Sequence, residues 1–495
     1  MPELESQTFF FFGAHVASTN NYMGWKQLEI DKAHLAYIVT GIFITIFCYT
    51  SSIIRERLLI GEATLGSIVG LIFGPHAANL INPKSWGNME YVTIEICRIV
   101  INVRVFASGV ELPVAYFQNH FRSIFIMLSM IMIFGWLVSA GFAYALFPKV
   151  TFLGSLLIAG CITSTDPVLS ALIVGEGPIG RRIPQKIRAL LIAESGCNDG
   201  MAVPFLYFAL KLLTVKPSKD AGRDWVLLIV LYECTLGIFV GCVLGVLLDK
   251  LLKWFQKLKF IDANSYYSLS FAIPLMCSGI GTIIGVDDLL LSFFTGVMLA
   301  WDNAFVDNMS ECYVPPFIDQ TFNLLFFTYF GSIIPWEKFN WIQMELSVWR
   351  LIVFTILIFF FRRIPAVLMC KPLIPDIDTW KDALFVGHFG PIGVCAVYMS
   401  FVAKSMLTPN EIEDSVYKST EEFYILHEVL WPIVCFVILS SIIVHGFSVP
   451  ILIYGEKLKN LLIRRHKANN PTIPMHEMPT KSSKSTSKSK EKSPS

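Results

Sequence analysis

Two acidic motifs lie inside apolar stretches of this 495-residue chain, and the first surrounds Asp166. It reads Thr163-Ser164-Thr165-Asp166-Pro167, within an apolar run over residues 152–175. Proline removes a backbone donor and crowds the carbonyl four residues before it, so Cys161 to Thr165 should leave regular helix. Non-helical backbone at membrane depth survives only against protein or water, and beside a carboxylate it suits a cation. A proline kink in which Asp166 caps the next helical segment is the simpler alternative.

The second motif is Glu194-Ser195-Gly196-Cys197-Asn198-Asp199-Gly200, in the middle of the apolar run 186–213. Glu194 and Asn198 are four residues apart and share a helix face, whereas Asp199 lies about 100° around the helix from Asn198. The two carboxylates therefore point in different directions, which predicts one for a transported ion and one for a structural ion pair. The two glycines of the motif leave room for the close approach of another helix or of solvent.

Other charged pairs interrupt later apolar runs. Asp287-Asp288 stands at a predicted helix start, where capping and a role in cation access are both open. Arg362 and Arg363 follow three phenylalanines in a span, where an interface anchor is the ordinary interpretation. Because the apolar run continues past them, one guanidinium is a candidate partner for Glu194.

The segment Gly387-His388-Phe389-Gly390-Pro391-Ile392-Gly393 breaks an apolar run in the second half of the chain. This break mirrors the Asp166-Pro167 break in the first half. Paired broken helices in corresponding positions are typical of transporters built from inverted repeats with a mid-membrane site. His388 could titrate near neutral pH, although a histidine beside glycines is often a hydrogen-bonded packing residue.

Composition indicates a polytopic all-α membrane protein. Hydrophobic residues make up 54% of the chain and charged residues 16%, against about 25% charged in soluble domains. The net charge of +1 gives no reason to expect nucleic acid as a partner, and the eleven cysteines indicate small core residues. About 12–13 transmembrane helices are expected. The spans are predicted at 35–54, 58–74, 91–109, 122–147, 152–175, 186–213, 225–248, 265–283, 286–301, 318–335, 347–370, 382–404 and 425–452.

The chain divides into an N-terminal segment (1–33), a transmembrane domain (34–454) and a short basic tail (455–495) predicted to be disordered after one or two helical turns. Basic loops around Arg181 and Lys253, together with the tail, predict that these parts are cytoplasmic and the N-terminus external. The acidic loop at 411–422 would then be external, and the sequon at Asn308 would face the cytoplasm without glycan.

These motifs resemble the fungal plasma-membrane Na+/H+ antiporters of the monovalent cation/proton antiporter family, over roughly residues 20–454. The resemblance implies a homodimer in which a core domain, with two crossed discontinuous helices, moves against a dimerisation domain. It also implies an ion site, a structural ion pair and an accessory path. The ion site would comprise Asp199, Asn198, Asp166 and Thr165, the pair Glu194 with Arg362 or Arg363, and the path Asp287, Asp288 and His388.

The expected activity is secondary active exchange of Na+ or Li+, with K+ as a further candidate, for H+. Proton and cation would compete for Asp199, with Na+ held at Asp166 and Asp199. Asn198 adds no second negative charge, which predicts an electroneutral 1:1 cycle that exports sodium for salt tolerance and pH homeostasis. No cofactor is expected. A cation channel is the alternative, although repeated filter segments are not visible, and the chain has no HExxH motif or nucleophile elbow that would indicate an enzyme.

Overall fold

The computed structural model describes residues 32–54, 60–166, 183–214, 218–302, 305–306, 315–408 and 421–469. Over these segments the chain is helical, with short 3-10 turns and an isolated β-bridge between Trp341 and Leu346. The prediction of an all-α protein is therefore confirmed for the part of the chain that the structure describes. Pro167, Arg181, Asn308 and the residues from 409 to 420 lie outside it.

The helices follow the predicted spans closely. In chain order they are α1 (Lys32–Ser52), α2 (Glu62–Phe73), α3 (Met89–Val110), α4 (Tyr116–Leu146), α5 (Phe152–Cys161), α6 (Gln185–Met201), α7 (Val203–Thr214), α8 (Asp220–Lys257), α9 (Ala263–Ile284), α10 (Asp288–Leu299), α11 (Pro315–Ser332), α12 (Val348–Phe361), α13 (Ile364–Cys370), α14 (Trp380–His388), α15 (Val394–Met406) and α16 (Glu421–Asn469).

Helix length separates two kinds of membrane segment. Among the described residues, six helices are long and apolar enough to cross a membrane: α1, α4, α8, α9, α16 and the stretch Val348–Leu373, which holds α12 and α13. Helices α5 and α15 are shorter, with 10 and 13 residues. At 1.5 Å per residue a ten-residue helix covers about half of a 30 Å hydrocarbon layer, so α5 ends near mid-membrane.

Glycines set the closest helix contacts. On α8, Gly237, Gly241 and Gly245 recur every fourth residue and face α10. A Cβ at Gly241 would lie 2.6 Å from the Leu291 carbonyl oxygen, and a Cβ at Gly245 would lie 2.6 Å from that of Thr295. Small residues at this spacing allow two backbones to touch inside a membrane. The sequence analysis did not identify this ladder.

Glycines also bring α6 into contact with α10, as the two glycines of the acidic motif predict. A Cβ at Gly196 would lie 2.6 Å from the Phe293 ring, and a Cβ at Gly200 would lie 2.5 Å from Leu290 Cγ. The expected close approach of another helix is thereby confirmed. Helix α6 is buried along nearly its whole length, whereas α1 and α8 expose large apolar side chains such as Tyr49 and Phe239. An apolar outer surface of this kind suits lipid.

One predicted domain boundary falls inside a helix. The last helix continues to Asn469, so the boundary placed after residue 454 falls inside α16, and the helical part of the tail is longer than one or two turns. The physical reason lies in the composition of residues 455–469, which are rich in the helix-favouring Lys, Leu and Arg and contain no proline.

Candidate functional site

The two breaks predicted from the sequence cross each other in the structure. Helix α5 ends at Cys161, and residues 162–166 run on without regular helix, as the proline rule predicts. On the other side α14 ends at His388, and α15 begins at Val394. The Asp166 N–H donates to the Pro391 carbonyl at 2.7 Å, and the Val394 N–H donates to Asp166 Oδ2 at 2.8 Å. Asp166 thus caps a helix, but the capped helix is α15, which follows the second break, and not the segment that follows Asp166 in the chain.

Gly393 makes this crossing possible. A Cβ on Gly393 would lie 1.7 Å from Asp166 Oδ2, which is far inside van der Waals contact. The position requires a residue without a side chain, because the Asp166 carboxylate occupies that space. The glycine at the end of the Gly387–Gly393 motif therefore serves the approach of a carboxylate to a helix N-terminus, where the helix dipole favours negative charge.

Asn198 ties α6 to the first break. Its Nδ2 donates to Thr165 Oγ1 at 2.6 Å, and its Oδ1 accepts from the Thr165 N–H at 3.3 Å. Asn198 is fully buried. An amide supplies both a donor and an acceptor, so this one side chain satisfies two polar groups of the unwound segment.

Asp199 differs from Asn198 and Asp166 because one of its carboxylate oxygens has no hydrogen-bond partner among the described residues. The side chain is only 3% exposed, and Oδ1 accepts no hydrogen bond from any residue that the structure describes. Asp166 and Arg104 act on it electrostatically, and the Cys395 thiol contacts its main-chain oxygen at 3.7 Å. A buried carboxylate oxygen without a donor is costly unless a proton or a cation satisfies it.

Glu194 forms the buried ion pair that its direction on α6 predicts, and its partner is Arg363. The Arg363 Nη1 and Nη2 atoms bind the two carboxylate oxygens, with Nη2 to Oε2 at 2.6 Å. The Arg363 side chain is 7% exposed and that of Glu194 is 1% exposed. Arg363 Nε also donates to the Val386 carbonyl at 3.0 Å, so the guanidinium joins α6 to α14.

Arg362 has a different role, which the sequence analysis did not foresee. Its Nη1 donates to the Ile162 carbonyl and its Nη2 to the Gly390 carbonyl at 2.6 Å. Ile162 is the C-cap of α5, and Gly390 comes two residues after the end of α14. Both helix ends carry partial negative charge and unpaired carbonyls. One guanidinium therefore satisfies the C-terminal ends of both broken helices.

The predicted accessory residues fall into two separate places. Asp287 caps α10, and its Oδ1 accepts from the N–H groups of Leu289 and Leu290, each at 3.0 Å. Asp288 Oδ2 accepts from Asn102 Nδ2 at 2.9 Å and from Ser278 Oγ at 3.0 Å. Both acids line a cavity of about 190 Å³.

His388 does not join that cavity. It lies beside His445, with ring centroids 5.3 Å apart, and both line a small space of about 10 Å³ with Arg362. His445 was not among the predicted residues, although it interrupts an otherwise apolar span. The rule that marks charged groups inside spans would have found Arg98, which lines the larger cavity, and Glu233.

Comparison with known proteins gives the chain's relatives. Residues 42–454 match the family described as "Sodium/hydrogen exchanger, transmembrane". A Na+/H+ antiporter of Schizosaccharomyces pombe is 68% identical over 444 residues, which cover 90% of this chain and 95% of that protein. A Na+/H+ antiporter of Saccharomyces cerevisiae is 43% identical over 89% of this chain, but the match spans only 45% of the longer yeast protein.

The fold resembles that of a solved antiporter. The sodium proton antiporter MjNhaP1 from Methanocaldococcus jannaschii, determined at pH 8, superposes with a TM-score of 0.58 at 17% sequence identity. The match covers 84% of this chain and 98% of that one. At this identity the likeness concerns the fold alone. It agrees with the expected architecture of a polytopic helical protein with two crossed discontinuous helices.

Proposed function

Because this chain belongs to the sodium/hydrogen exchanger family, whose members exchange Na+ for H+, we propose that Asp199 is the group at which the two ions compete. The observation that carries this proposal is the buried Asp199 Oδ1, which lacks a hydrogen-bond donor among the described residues. A carboxylate can bind one proton or help to coordinate one alkali cation. The carboxylate is buried from water in the proton-bound form and in the cation-bound form. Occupation by one ion excludes the other. Exchange is then obligatory because only the loaded carboxylate is neutral enough to switch sides of the membrane.

Asp166 has a supporting task in this scheme. Its Oδ2 already accepts a hydrogen bond from the Val394 N–H at the start of α15. That bond and the positive end of the helix dipole stabilise negative charge on Asp166, which makes it a suitable oxygen ligand for a cation. The carbonyls and hydroxyls between Ile162 and Asp166 supply further oxygens of the kind that alkali cations prefer.

The proposed stoichiometry is one cation for one proton. Asn198 contributes an amide that is neutral in every step, and Thr165 contributes a neutral hydroxyl. The Glu194 carboxylate is ion-paired with Arg363 and does not bind or release the transported ions. With one titrating carboxylate, each cycle would move one positive charge in each direction, so the net charge transfer is zero.

Several finer properties belong to the same proposal. We propose Li+ as a substrate alongside Na+, because oxygen ligands suit both ions, with K+ as a further candidate. The orientation that places the basic loops and the C-terminus in the cytoplasm follows the positive-inside rule. A plasma-membrane location, a homodimer and a role in sodium export rest on the resemblance to the fungal antiporters. A channel is disfavoured by the exchanger family to which the chain belongs.

The test is exchange by the full chain in proteoliposomes with a trapped pH dye. Asp199→Asn should abolish Na+-driven and Li+-driven proton movement. The matched control is Asp378→Asn, because Asp378 is an acid with a 67% exposed side chain that pairs loosely with Lys186; this variant should keep the wild-type rate. Coupled exchange by a folded Asp199→Asn protein would refute the assignment. A wild-type rate that rises steeply with membrane potential would refute the 1:1 stoichiometry.

A further inference from the structure

Three further carboxylate oxygens are buried without a hydrogen-bond partner among the described residues, from Asp249, Asp287 and Asp376, and the one that lies beside the ion site belongs to Asp287. The side chain is 6% exposed. Its Oδ1 is used as the cap of α10, where it accepts the N–H groups of Leu289 and Leu290. Its Oδ2 accepts no hydrogen bond from the residues described. A capping acid needs only one oxygen, so the cap explains why Asp287 is acidic but leaves Oδ2 available to a ligand.

Asp287 lines the cavity of about 190 Å³, to which α3, α7, α8, α9, α10 and α15 contribute residues. The titratable lining includes three carboxylates, from Glu233, Asp287 and Asp288, and one guanidinium, from Arg98. The charged groups that line the cavity therefore carry a net negative charge when all of them are ionised. A cleft with low-dielectric walls and charge of one sign concentrates the opposite ion.

Glu233 is the carboxylate placed to act with Asp287. The Asp287 N–H donates to the Glu233 carbonyl at 3.1 Å, which fixes the two backbones against each other. The Glu233 residue belongs to the π-helical stretch Trp225–Leu236, and its half-buried side chain lines the same cavity. π-Helical turns are rare and occur frequently at functional sites. Glu233 is an ionisable residue inside the apolar run 225–248, a position that the sequence alone could have marked.

Asp288 and Arg98 already contact other side chains around the cavity. Asp288 Oδ2 accepts from Asn102 and Ser278, which satisfies it with neutral donors. Arg98 donates to Thr282 Oγ1 at 2.8 Å and lies 5.9 Å from the centre of the Tyr398 ring. The Arg98 guanidinium is therefore held against α9 and α15.

The cavity also adjoins the ion site. Asp287 Oδ1 lies 3.1 Å from the position that a Cβ on Gly200 would occupy, and Gly200 directly follows Asp199. Across the cavity, Tyr398 and Met399 lie on α15, the half-helix whose Cys395 contacts the Asp199 main chain. The cavity and the ion site therefore share α15, and Asp287 packs against the residue that follows Asp199.

We propose that Asp287 and Glu233 together form a cation antechamber, in which a dehydrating alkali cation binds weakly before it reaches Asp199. This inference rests on the proposed function, because it assumes that Asp199 is the exchange site. The inference gives the two adjacent acids different roles. Asp287 contacts the cation, and Asp288 holds α3 and α9 in place. Glu233 is a binding residue on the path of the ion.

The experiment measures proteoliposome exchange against Na+ concentration for four proteins: wild type, Glu233→Gln, Asp287→Asn and the double variant. Asn is as good a helix cap as Asp, so Asp287→Asn removes the charge and keeps the cap. Each single variant should raise the KM for Na+ by about tenfold, the lower end of the enrichment that a charged cleft gives, while kcat stays near wild type. The double variant should raise KM by less than the product of the two single effects, because both residues hold one ion.

Two controls make the result specific. Glu337→Gln makes the same chemical change at an exposed position on a 3-10 turn outside the cavity and should leave KM unchanged. Glu233→Asp keeps the charge and should restore a KM near wild type. Raised ionic strength from a large organic cation should increase the wild-type KM and have less effect on the double variant.

An unchanged KM in Glu233→Gln with normal kcat would overturn the antechamber and leave the exchange at Asp199 intact. Fully multiplicative effects in the double variant would also overturn it, since the two carboxylates would then act on separate ions. If Glu233→Gln fails to fold, Asp287→Asn provides the same test alone, and a normal KM in that variant refutes the proposal. Absence of exchange in the wild type would instead refute the proposed function.

Discussion

Removing the charge of Glu194 should destabilise this protein far more than the same change at a surface acid. The Glu194→Gln substitution keeps the shape of the side chain but leaves the Arg363 guanidinium buried without its carboxylate. Arg362 directly precedes Arg363 in the chain and is also buried, with carbonyl oxygens as its hydrogen-bond acceptors. The variant therefore holds two adjacent buried guanidinium charges with no carboxylate bound to either of them.

The expected cost follows from burial. Breaking a buried ion pair by removing one partner costs about 3–5 kcal/mol, because the remaining charge stays desolvated. The Glu194–Arg363 pair is bidentate and nearly inaccessible to solvent, so it belongs at the upper part of that range. The pair between Lys338 and Glu428 supplies the comparison. Its side chains are 42% and 19% exposed, and a pair of this kind contributes about 1 kcal/mol or less.

The assay is thermal unfolding of the purified chain in detergent, followed by loss of the monodisperse protein. Glu194→Gln should lower the midpoint clearly, whereas Glu428→Gln should change it little. The double variant Glu194→Gln/Arg363→Met should be more stable than Glu194→Gln alone, because it also removes the stranded guanidinium. Equal midpoints for Glu194→Gln and Glu428→Gln would refute the reasoning, as would a double variant that is less stable than the single one.

Three further outcomes follow from the geometry. Gly393→Ala should reduce exchange by about 100-fold, because its Cβ would displace the Asp166 carboxylate; Gly141→Ala, where a Cβ meets nothing within 4 Å, should exchange normally. Gly241→Ala should lower the unfolding midpoint relative to Gly141→Ala, because its Cβ would press on the α10 backbone. Asn198→Asp should make the exchange rate depend on membrane potential, because it adds a second titrating carboxylate to the site; a rate that stays independent of potential would contradict this.

Much of the architecture was accessible from the sequence, because a membrane imposes its length and polarity on each segment. Apolar runs located the helices, and Pro167 correctly predicted a break after α5, although the helix includes Cys161 and the break begins at Ile162. The direction of Glu194 on α6 predicted a structural ion pair. It could not choose between Arg362 and Arg363, since adjacent residues differ by about 100° and the chosen one depends on how α12 ends.

The partners themselves were not predictable, because they join residues far apart in the chain. Asn198 binds Thr165 across 33 positions, and Asp166 accepts the Val394 amide across 228. No local pattern encodes such pairs. The glycine ladder on α8 was missed for a different reason: glycines in an apolar run also occur without any contact, as at Gly141. The spacing acquires meaning only when the facing helix is known.

The buried acids differ in whether a carboxylate oxygen remains available to bind an ion. Glu194 gives both oxygens to Arg363, and Asp288 Oδ2 receives two neutral donors. Asp199 and Asp287 each keep one buried oxygen that no described residue satisfies. Gly200 stands between these two acids, with a backbone that brings Asp287 within 3.1 Å of its missing side chain. Any larger residue there would separate them, so the glycine that lets α6 touch α10 also keeps the antechamber next to the exchange site.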